Sequence, residues 1–536
     1  MKNWAYALTA TTIVLMSLGC QGDYRSDAKK LAGVWSQGDY PAAATLAYTD
    51  AKEEAKHKKN RVVYFLESGR AAQAAGDYAT SIECFDAAFV DTFPYMKESP
   101  EATVSEALVT TVTNATMSKY RGTPNDRIML HANNATNFMA MGHMDTARVE
   151  LNRAVLWTED AEHRYGKAIE LAAKRNTDKV DDASAEWDGE RSNDWAGSTS
   201  GVMNNNTHQI MSEHYAGLPA KAAYANYINP WALHLDAVFR LSCTTQTYSN
   251  DFVQARSSLR SILAMNPKLQ SDLEQEITWA TNETTPLPTT WVYFMNGMGP
   301  HLEQEKIAMP LPLSGGFTMP TLALPKMVFN DDHIEAIDVT SSNNEVTRTA
   351  LLADTANISS WHFKERLPLI ISHEAIRATT KAIATYAAMQ MAQQSQNALA
   401  SLIAIAAVAY QVGSAQADLR CWRTMPAEIQ VARVSTPTDG ILQLSAPNGR
   451  SLGIASVVPD QSNILIVSLP SSAAHAASIM PIQLTGPRKP YAPTFSLKPS
   501  PEEANSEEIP AEGTDATSDE DLLNRASIET ETPNGP

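Results

Sequence analysis

The chain has 536 residues, a net charge of −18 and 43% apolar residues, which is typical of a globular protein. At about 100–200 residues per domain, this length allows several domains that each bury a core. Four cysteines are too few for a disulfide framework, and a negative surface repels phosphate backbones, so nucleic acid is not expected as a partner.

The N-terminus has the features of a bacterial export signal. Residues 5–18 form an apolar stretch that suits a signal peptide and is too short to span a membrane. Gly19-Cys20 at its end resembles the lipobox of bacterial lipoproteins, whose cysteine becomes lipid-modified. We therefore expect residues 1–20 to be a lipoprotein signal peptide with Cys20 as the modified residue. The alternative is a soluble export signal with an incidental cysteine.

The residue after Cys20 bears on the membrane that holds the anchor. Gln21, rather than aspartate, resembles the version of this signal that is destined for the outer membrane. We expect an outer-membrane lipoprotein that faces the periplasm and touches the membrane only through its lipid anchor. The inner membrane is the alternative location.

Two copies of one motif indicate helical repeats in the N-terminal half. Gly38-Asp39-Tyr40 and Gly76-Asp77-Tyr78 lie 38 residues apart, and similar spacings of small and large apolar residues recur twice more along the chain. The pattern resembles tetratricopeptide helix pairs, in which small residues let two antiparallel helices approach closely. We predict tetratricopeptide-like helical repeats over residues 27–281, interrupted by a long polar loop at 176–206.

After Pro286 the pattern changes to short apolar runs separated by glycine and proline, which favours strands. A helical segment at 367–415 interrupts these runs, and its apolar second half is too short for a transmembrane helix. We predict a β-rich domain at 286–485 with a helical insert at 367–415, and hence a multidomain α+β protein. The runs predicted as strands are 291–294, 306–309, 321–324, 336–339, 346–352, 428–434, 441–446, 451–457 and 464–469.

The C-terminal residues carry most of the negative charge. From Pro501 onward, eleven acidic residues stand against the single basic residue Arg525, so this stretch contributes −10 to the net charge of −18. Proline, serine, threonine and glutamate dominate from Gly486, and such a composition cannot bury enough apolar surface to fold. We predict a disordered acidic tail over residues 486–536, which either solvates the protein or docks on a basic partner.

Six ordered motifs lie along the mature chain. In the N-terminal half they are Tyr120-Arg121-Gly122, Val149-Glu150 with Arg153, and Tyr227-Ile228-Asn229-Pro230. In the C-terminal half they are Asn296-Gly297 with Pro300, Ala323-Leu324-Pro325, and the run from Asp418 to Pro426. Together they make the chain, as far as Leu484, similar to a family of uncharacterised bacterial outer-membrane lipoproteins with N-terminal tetratricopeptide-like repeats. The long polar loop and the acidic tail depart from the family pattern. The resemblance implies the architecture and supplies no catalytic residue, because the family has no established activity.

Arg420, Trp422 and Arg433 are the candidate binding residues. Arginine beside tryptophan at the entry to a sheet suits an anionic glycan or a peptide carboxylate. The alternative is a structural stack of arginine and aromatic side chains that joins a helix to the sheet. The sequence contains no recognisable catalytic or metal-binding motif and no phosphate-binding loop, so we expect neither a metal nor a cofactor.

The expected function is that of a protein–protein interaction scaffold or accessory factor in the cell envelope. Stacked helix pairs generate extended concave surfaces, so we expect the concave face of the repeats to bind another envelope protein or peptide. The alternative is an envelope enzyme that acts on a glycan or peptide through the β-rich domain. The two hypotheses differ in which half of the chain carries the activity.

Overall fold

The computed structural model of the protein describes residues 24–57, 59–93, 119–160, 209–210, 212–215, 218, 229–243, 248, 250–308, 311–313, 316–395, 415–488 and 491–498. The predicted signal peptide with Cys20, the predicted polar loop at 176–206 and residues 499–536 of the predicted tail lie outside the described residues. Within the described ranges, no helix is long and apolar enough to cross a membrane.

The N-terminal part of the chain is helical, and most of its helices pack as consecutive antiparallel pairs joined by short turns. The helices are α1 Tyr24–Ser36, α2 Tyr40–Glu54, α3 Arg61–Ala75, α4 Tyr78–Thr92, α5 Pro124–Ala140, α6 Met144–Asp160, α7 Pro230–Cys243, α8 Asp251–Met265 and α9 Glu274–Asn282. A sheet-rich region follows them, so the α+β class predicted from the sequence is confirmed.

The repeated Gly-Asp-Tyr motif forms the turn within a helix pair. Gly76 ends α3 with a φ of 92°, a left-handed conformation that glycine adopts without a steric penalty. Asp77 then caps α4, because its Oδ1 accepts the Thr80 N–H at 3.0 Å. The same arrangement recurs at Gly38-Asp39 between α1 and α2. One three-residue motif therefore ends one helix and begins the next.

The small residues of the repeat pattern allow two helices to cross closely. A Cβ atom at Gly69 of α3 would lie 2.8 Å from the ring of Phe85 on α4, which is too close for two carbon atoms. The Ser81 hydroxyl donates to the Gly69 carbonyl at 2.6 Å across the same contact. Glycine at this position is therefore needed for the aromatic ring to pack against the α3 backbone.

The sheet-rich region contains strands β1 Thr289–Asn296, β2 His301–Ala308, β3 Leu311–Leu313, β4 Gly316–Thr318, β5 Thr321–Val328, β6 Asp338–Ser341, β7 Val346–Arg348, β8 Ala350–Ala353, β9 Glu428–Ser435, β10 Ile441–Ser445, β11 Ser451–Ser456, β12 Asn463–Leu469 and β13 Ser478–Gln483. The larger sheet has the order β13-β12-β1-β9-β8, with β1 parallel to β12 and antiparallel to β9. The smaller sheet has the order β11-β10-β6-β7, and β2–β5 and β3–β4 form two-stranded ribbons.

Each of the nine runs predicted as strands overlaps a strand of the structure, whereas β3, β4 and β13 are not predicted. Strand β13 contains Pro481, and proline disfavours a strand because it donates no backbone hydrogen bond. It lies at the edge of the larger sheet, where one side of the strand needs no partner. The tertiary position of β13 therefore decides its conformation.

The helix after β8 begins earlier than predicted. Helix α10 spans Thr355–Ser395, and Asp354 caps its start by accepting the Asn357 N–H at 2.8 Å. Pro368, beside the predicted start at 367, lies inside the helix. Residues 396–414 of the predicted insert lie outside the described part of the chain. The buried residues that form one cluster between α10 and β5 include Leu322, Leu324, Phe363, Leu367 and Ile371.

Alternate residues of the larger sheet face two different cores. On β1, Trp291, Tyr293 and Met295 belong to the core shared with the helices. Val292 and Phe294 belong to the core shared with the smaller sheet. Because successive side chains of a strand point to opposite faces, β1 is buried along its whole length. The order of layers is therefore helices, larger sheet, smaller sheet.

In the helix pairs α3–α4, α5–α6 and α7–α8, the first helix is buried at nearly every residue. Helices α3, α5 and α7 pack against their neighbouring helices on one side and contribute to the core shared with the larger sheet on the other. Arg70 of α3 donates to the Ser468 hydroxyl at 2.7 Å, and the Ser478 hydroxyl donates to the Ala74 carbonyl at 2.7 Å. The helical region and the larger sheet thus share one hydrophobic core.

The first part of the predicted acidic tail lies on the helices. The ring of Tyr491 stacks on that of Tyr78 with centroids 4.9 Å apart, and its hydroxyl donates to the Gly76 carbonyl. The Leu497 N–H donates to Asp77 Oδ2 at 2.8 Å. Contacts between this segment and the helices therefore continue beyond residue 486, where the tail is predicted to start. The aromatic ring of Tyr491 and apolar side chains such as Leu497 anchor the segment.

Candidate functional site

Arg420 lies between α10 and β9 and is held by internal partners. Its guanidinium donates to both carboxylate oxygens of Asp418, at 2.8 and 2.6 Å, and to the Lys59 carbonyl and Asn60 Oδ1 at 3.1 and 3.2 Å. The same group lies 5.6 Å from the centre of the Tyr120 ring. Burial alone would raise the pKa of Asp418, but the Arg420 guanidinium outweighs it and the pKa is lowered. Arg420 therefore fastens its loop to the turn between α2 and α3.

Trp422 is buried in the same loop, with its ring 6.0 Å from that of Phe85 on α4. Its Nε1 donates to the Thr424 hydroxyl at 2.9 Å. Glu67 of α3 accepts the Arg423 N–H at 2.6 Å, and the Thr424 N–H and hydroxyl at 3.0 and 2.6 Å. Burial raises the pKa of Glu67 to about 7. One carboxyl group of α3 thus accepts three donors of a loop more than 350 residues away.

Arg433 on β9 has partners on a different helix. It forms an ion pair with Glu276 of α9, donates to the Asp272 carbonyl at 3.3 Å and lies 6.0 Å from the centre of the Trp279 ring. Glu276 also accepts the Trp291 Nε1–H of β1 at 2.8 Å. The partners of Arg433 lie on α9 and at Asp272 just before it, whereas Arg420 reaches Lys59 and Asn60 of the α2–α3 turn. Each arginine therefore joins a different helical element to the sheet region.

His131 on α5 is engaged at both ring nitrogens. Trp157 Nε1 donates to His131 Nε2 at 3.1 Å, so Nδ1 carries the proton and donates to Glu150 Oε2 at 2.6 Å. Arg153 pairs with the other Glu150 oxygen at 2.5 Å. Burial lowers the pKa of His131 and keeps the ring neutral. The Val149-Glu150 and Arg153 motif of the sequence therefore fixes the contact between α5 and α6.

Four buried charges connect α6, α7 and α8. Arg148 pairs with Asp251 at 2.5 Å, and Arg240 pairs with both Asp236 and Asp251 at 2.8 and 3.2 Å. Two positive and two negative groups balance one another, which offsets the desolvation of each. Sequence spacing alone does not reveal this network, because Arg148 and Asp251 lie 103 residues apart.

The described residues hold no metal-binding cluster, and their cysteines are protonated. Among them, no group of three or more histidine, cysteine, aspartate or glutamate side chains is placed to hold a metal ion. The described cysteines are free thiols, and burial raises the pKa of Cys84 to about 11, of Cys243 to about 12 and of Cys421 to about 11. These thiols are therefore protonated at neutral pH.

Exposed apolar side chains recur on the second helix of successive pairs. The exposed fraction is 65% for Val90 on α4, 45% and 52% for Val149 and Leu156 on α6, and 49% for Val253 on α8. Val149 and Leu156 are seven residues apart, so they lie on one face of α6, away from its buried residues Leu151 and Ala154. The sequence does not reveal this face, because the repeat pattern marks only the residues that pack the helices together.

Comparison with protein-family models, with curated proteins and with solved structures finds no match to this chain. The resemblance to a family of outer-membrane lipoproteins therefore stays a prediction from the sequence motifs. Several of the motifs behind that resemblance form contacts that join elements of the fold. They include Tyr120, Glu150 with Arg153, and the run 418–426. A function has to be argued from the surfaces of this chain alone.

Proposed function

We propose that this protein is an interaction scaffold of the cell envelope, anchored through a lipid on Cys20 in the outer membrane and facing the periplasm. Its tetratricopeptide-like helix pairs would bind another envelope protein. Support for the anchor comes from Gly19-Cys20 after an apolar signal stretch. Support for binding comes from the surface of the helix pairs.

The second helices of the last three pairs, α4, α6 and α8, form the proposed binding surface. The concave face expected from the sequence would be formed by α3, α5 and α7, which are buried against the larger sheet. We therefore infer that the partner contacts the outer helices α4, α6 and α8. The observation that carries the proposal is that each of these three helices has at least one exposed apolar side chain. Single exposed apolar residues are ordinary, but their recurrence on successive outer helices favours a partner.

Photo-crosslinking in intact cells tests the proposal. A photoreactive amino acid replaces Val90 on α4 or Leu156 on α6, and the matched control replaces Ile454 on β11, which is 65% exposed. We expect both helical positions to crosslink to the same protein and the control not to capture it. Equal capture at Ile454, or only intramolecular products at Leu156, would contradict binding through the outer helices.

A further inference from the structure

Helix α8 carries a groove on its outward face. The groove has a volume of about 420 Å³, and its described lining residues are Val253, Arg256, Ser257, Arg260, Ser261 and Ala264. The opposite face of α8 is buried through Ala255, Leu259 and Ile262. The groove therefore faces away from the core that holds the helix in place.

The two arginines of the groove differ from those on neighbouring helices. Arg148 and Arg240 are paired with buried carboxylates. Arg256 and Arg260 have no hydrogen-bond or ion-pair partner within the described residues. The single acidic residue of α8, Asp251, is buried and paired with Arg148 and Arg240. Within the described part of the chain, the outward face of α8 thus holds two arginines without an acidic partner, on a protein whose net charge is −18.

The dimensions of the groove favour a peptide over a small anion. Arg256 and Arg260 are one helical turn apart, about 6 Å along the axis. Val253 and Ala264 lie eleven residues apart, a span of about 16 Å. A phosphate ion would satisfy the arginines and leave the exposed Val253 side chain uncovered. A peptide with two carboxylates between apolar side chains would cover both the charged centre and the apolar ends.

We propose that the α8 groove binds an acidic peptide segment of a partner protein. The carboxylates of the segment pair with Arg256 and Arg260, the hydroxyls of Ser257 and Ser261 supply further donors, and apolar side chains of the segment pack on Val253 and Ala264. This inference rests on the proposed scaffold function and names the chemistry of one of its binding surfaces.

Peptide binding to the full mature chain tests the inference. The probe is a labelled synthetic twelve-residue peptide with two glutamates one helical turn apart and a leucine near each end. We expect it to bind with an affinity that falls with salt, and a matched peptide with glutamines to bind at least tenfold more weakly. Equal binding of the two peptides, or displacement of the probe by inorganic phosphate at equal concentration, would overturn the assignment.

Variants locate the binding to the groove. We expect Arg256→Gln with Arg260→Gln to weaken binding at least tenfold, and the charge-matched control Lys29→Gln with Lys268→Gln to leave it unchanged. Arg256→Glu with Arg260→Glu should instead bind a peptide with lysines in place of the glutamates. Unchanged affinity in the Arg256→Gln, Arg260→Gln variant would refute the site. Because the crosslinks at Val90 and Leu156 are on other helices, their persistence without peptide binding would reject the groove and leave the scaffold function standing.

Discussion

At the scale of single residues, the interface between helices and sheet is built from buried polar groups with defined protonation states. His234 of α7 is fully buried, and its Nδ1 lies 2.7 Å from the Tyr293 hydroxyl of β1. Burial lowers the pKa of this histidine to about 4. Because an unfolded histidine has a pKa near 6.5, the folded state favours the neutral ring. The contribution of His234 to the free energy of unfolding is fully present above pH 6.5 and is lost as the pH falls toward 4.

We expect His234→Gln to make the protein less sensitive to acid. Between pH 7 and pH 5 the wild type should lose about 2 kcal/mol of unfolding free energy through His234, and the variant should not. Denaturant unfolding at several pH values measures this difference, and the exposed His143→Gln serves as control. Burial raises the pKa of Glu67 to about 7, so this group makes the folded state more stable as the pH falls, opposite to His234. The pH curve of the wild type is therefore compared with that of each variant. Parallel pH curves for wild type and His234→Gln would contradict the assignment.

Glu67 gives a second prediction at this scale. We expect Glu67→Ala to lower the unfolding free energy by about 3 kcal/mol, because three donors of Arg423 and Thr424 lose their acceptor. The exposed Glu53→Ala is the matched control, and it should change stability by less than about 0.5 kcal/mol. Chemical denaturation measures both. A similar small effect for the two variants would show that the loop does not depend on Glu67.

At the scale of elements, one ion pair joins β9 to α9. We expect Arg433→Met to destabilise the protein by about 2 kcal/mol, because Glu276 is then a buried carboxylate without its cation. The double variant Arg433→Met, Glu276→Gln should recover most of this loss. Arg348→Met, which removes the exposed partner of Asp338 on the smaller sheet, should leave stability unchanged. No recovery in the double variant would mean that packing of the arginine, rather than its charge, holds α9.

The sequence predicts the elements that local patterns define and misses the contacts between distant ones. The Gly76-Asp77 turn and strands such as β12 have local signals, a left-handed glycine with a capping aspartate and a continuous apolar run. Arg420 contacts Lys59 and Asn60, which are about 360 residues away in the sequence, and no periodicity predicts these contacts. The burial of α3, α5 and α7 on both sides likewise depends on the sheet. The candidate site residues could therefore be named from the sequence, but their roles could not.

At the scale of the whole molecule, the larger sheet occupies the face of the helices that a repeat protein would use for binding. Trp291, Tyr293 and Met295 of β1 belong to the same core as residues of α3, α5 and α7. The scaffold function that we propose therefore places the partner on the outer helices, among them α8 with its charged groove. The two regions expected from the sequence as separate domains depend on each other for a core.

This dependence predicts that the helical region does not fold alone. A fragment of residues 24–284 would expose the apolar faces of α3, α5 and α7 that the sheet covers, at a cost of about 25 cal/mol per Å². We expect it to be insoluble or to lack a cooperative unfolding transition, whereas the chain of residues 24–498 should show one. Circular dichroism with thermal unfolding compares the two. A soluble fragment with the same cooperative transition would contradict the shared core.

Native-state hydrogen exchange of the full chain tests the shared core most directly. Exchange is followed by mass spectrometry at increasing guanidinium concentrations, in peptides that cover α5 and peptides that cover β1 and β12. Because these elements contribute to one core, their amides should have the same opening free energy and lose protection at the same denaturant concentration. Exchange of the α5 amides through an opening that leaves β1 and β12 protected would contradict the account.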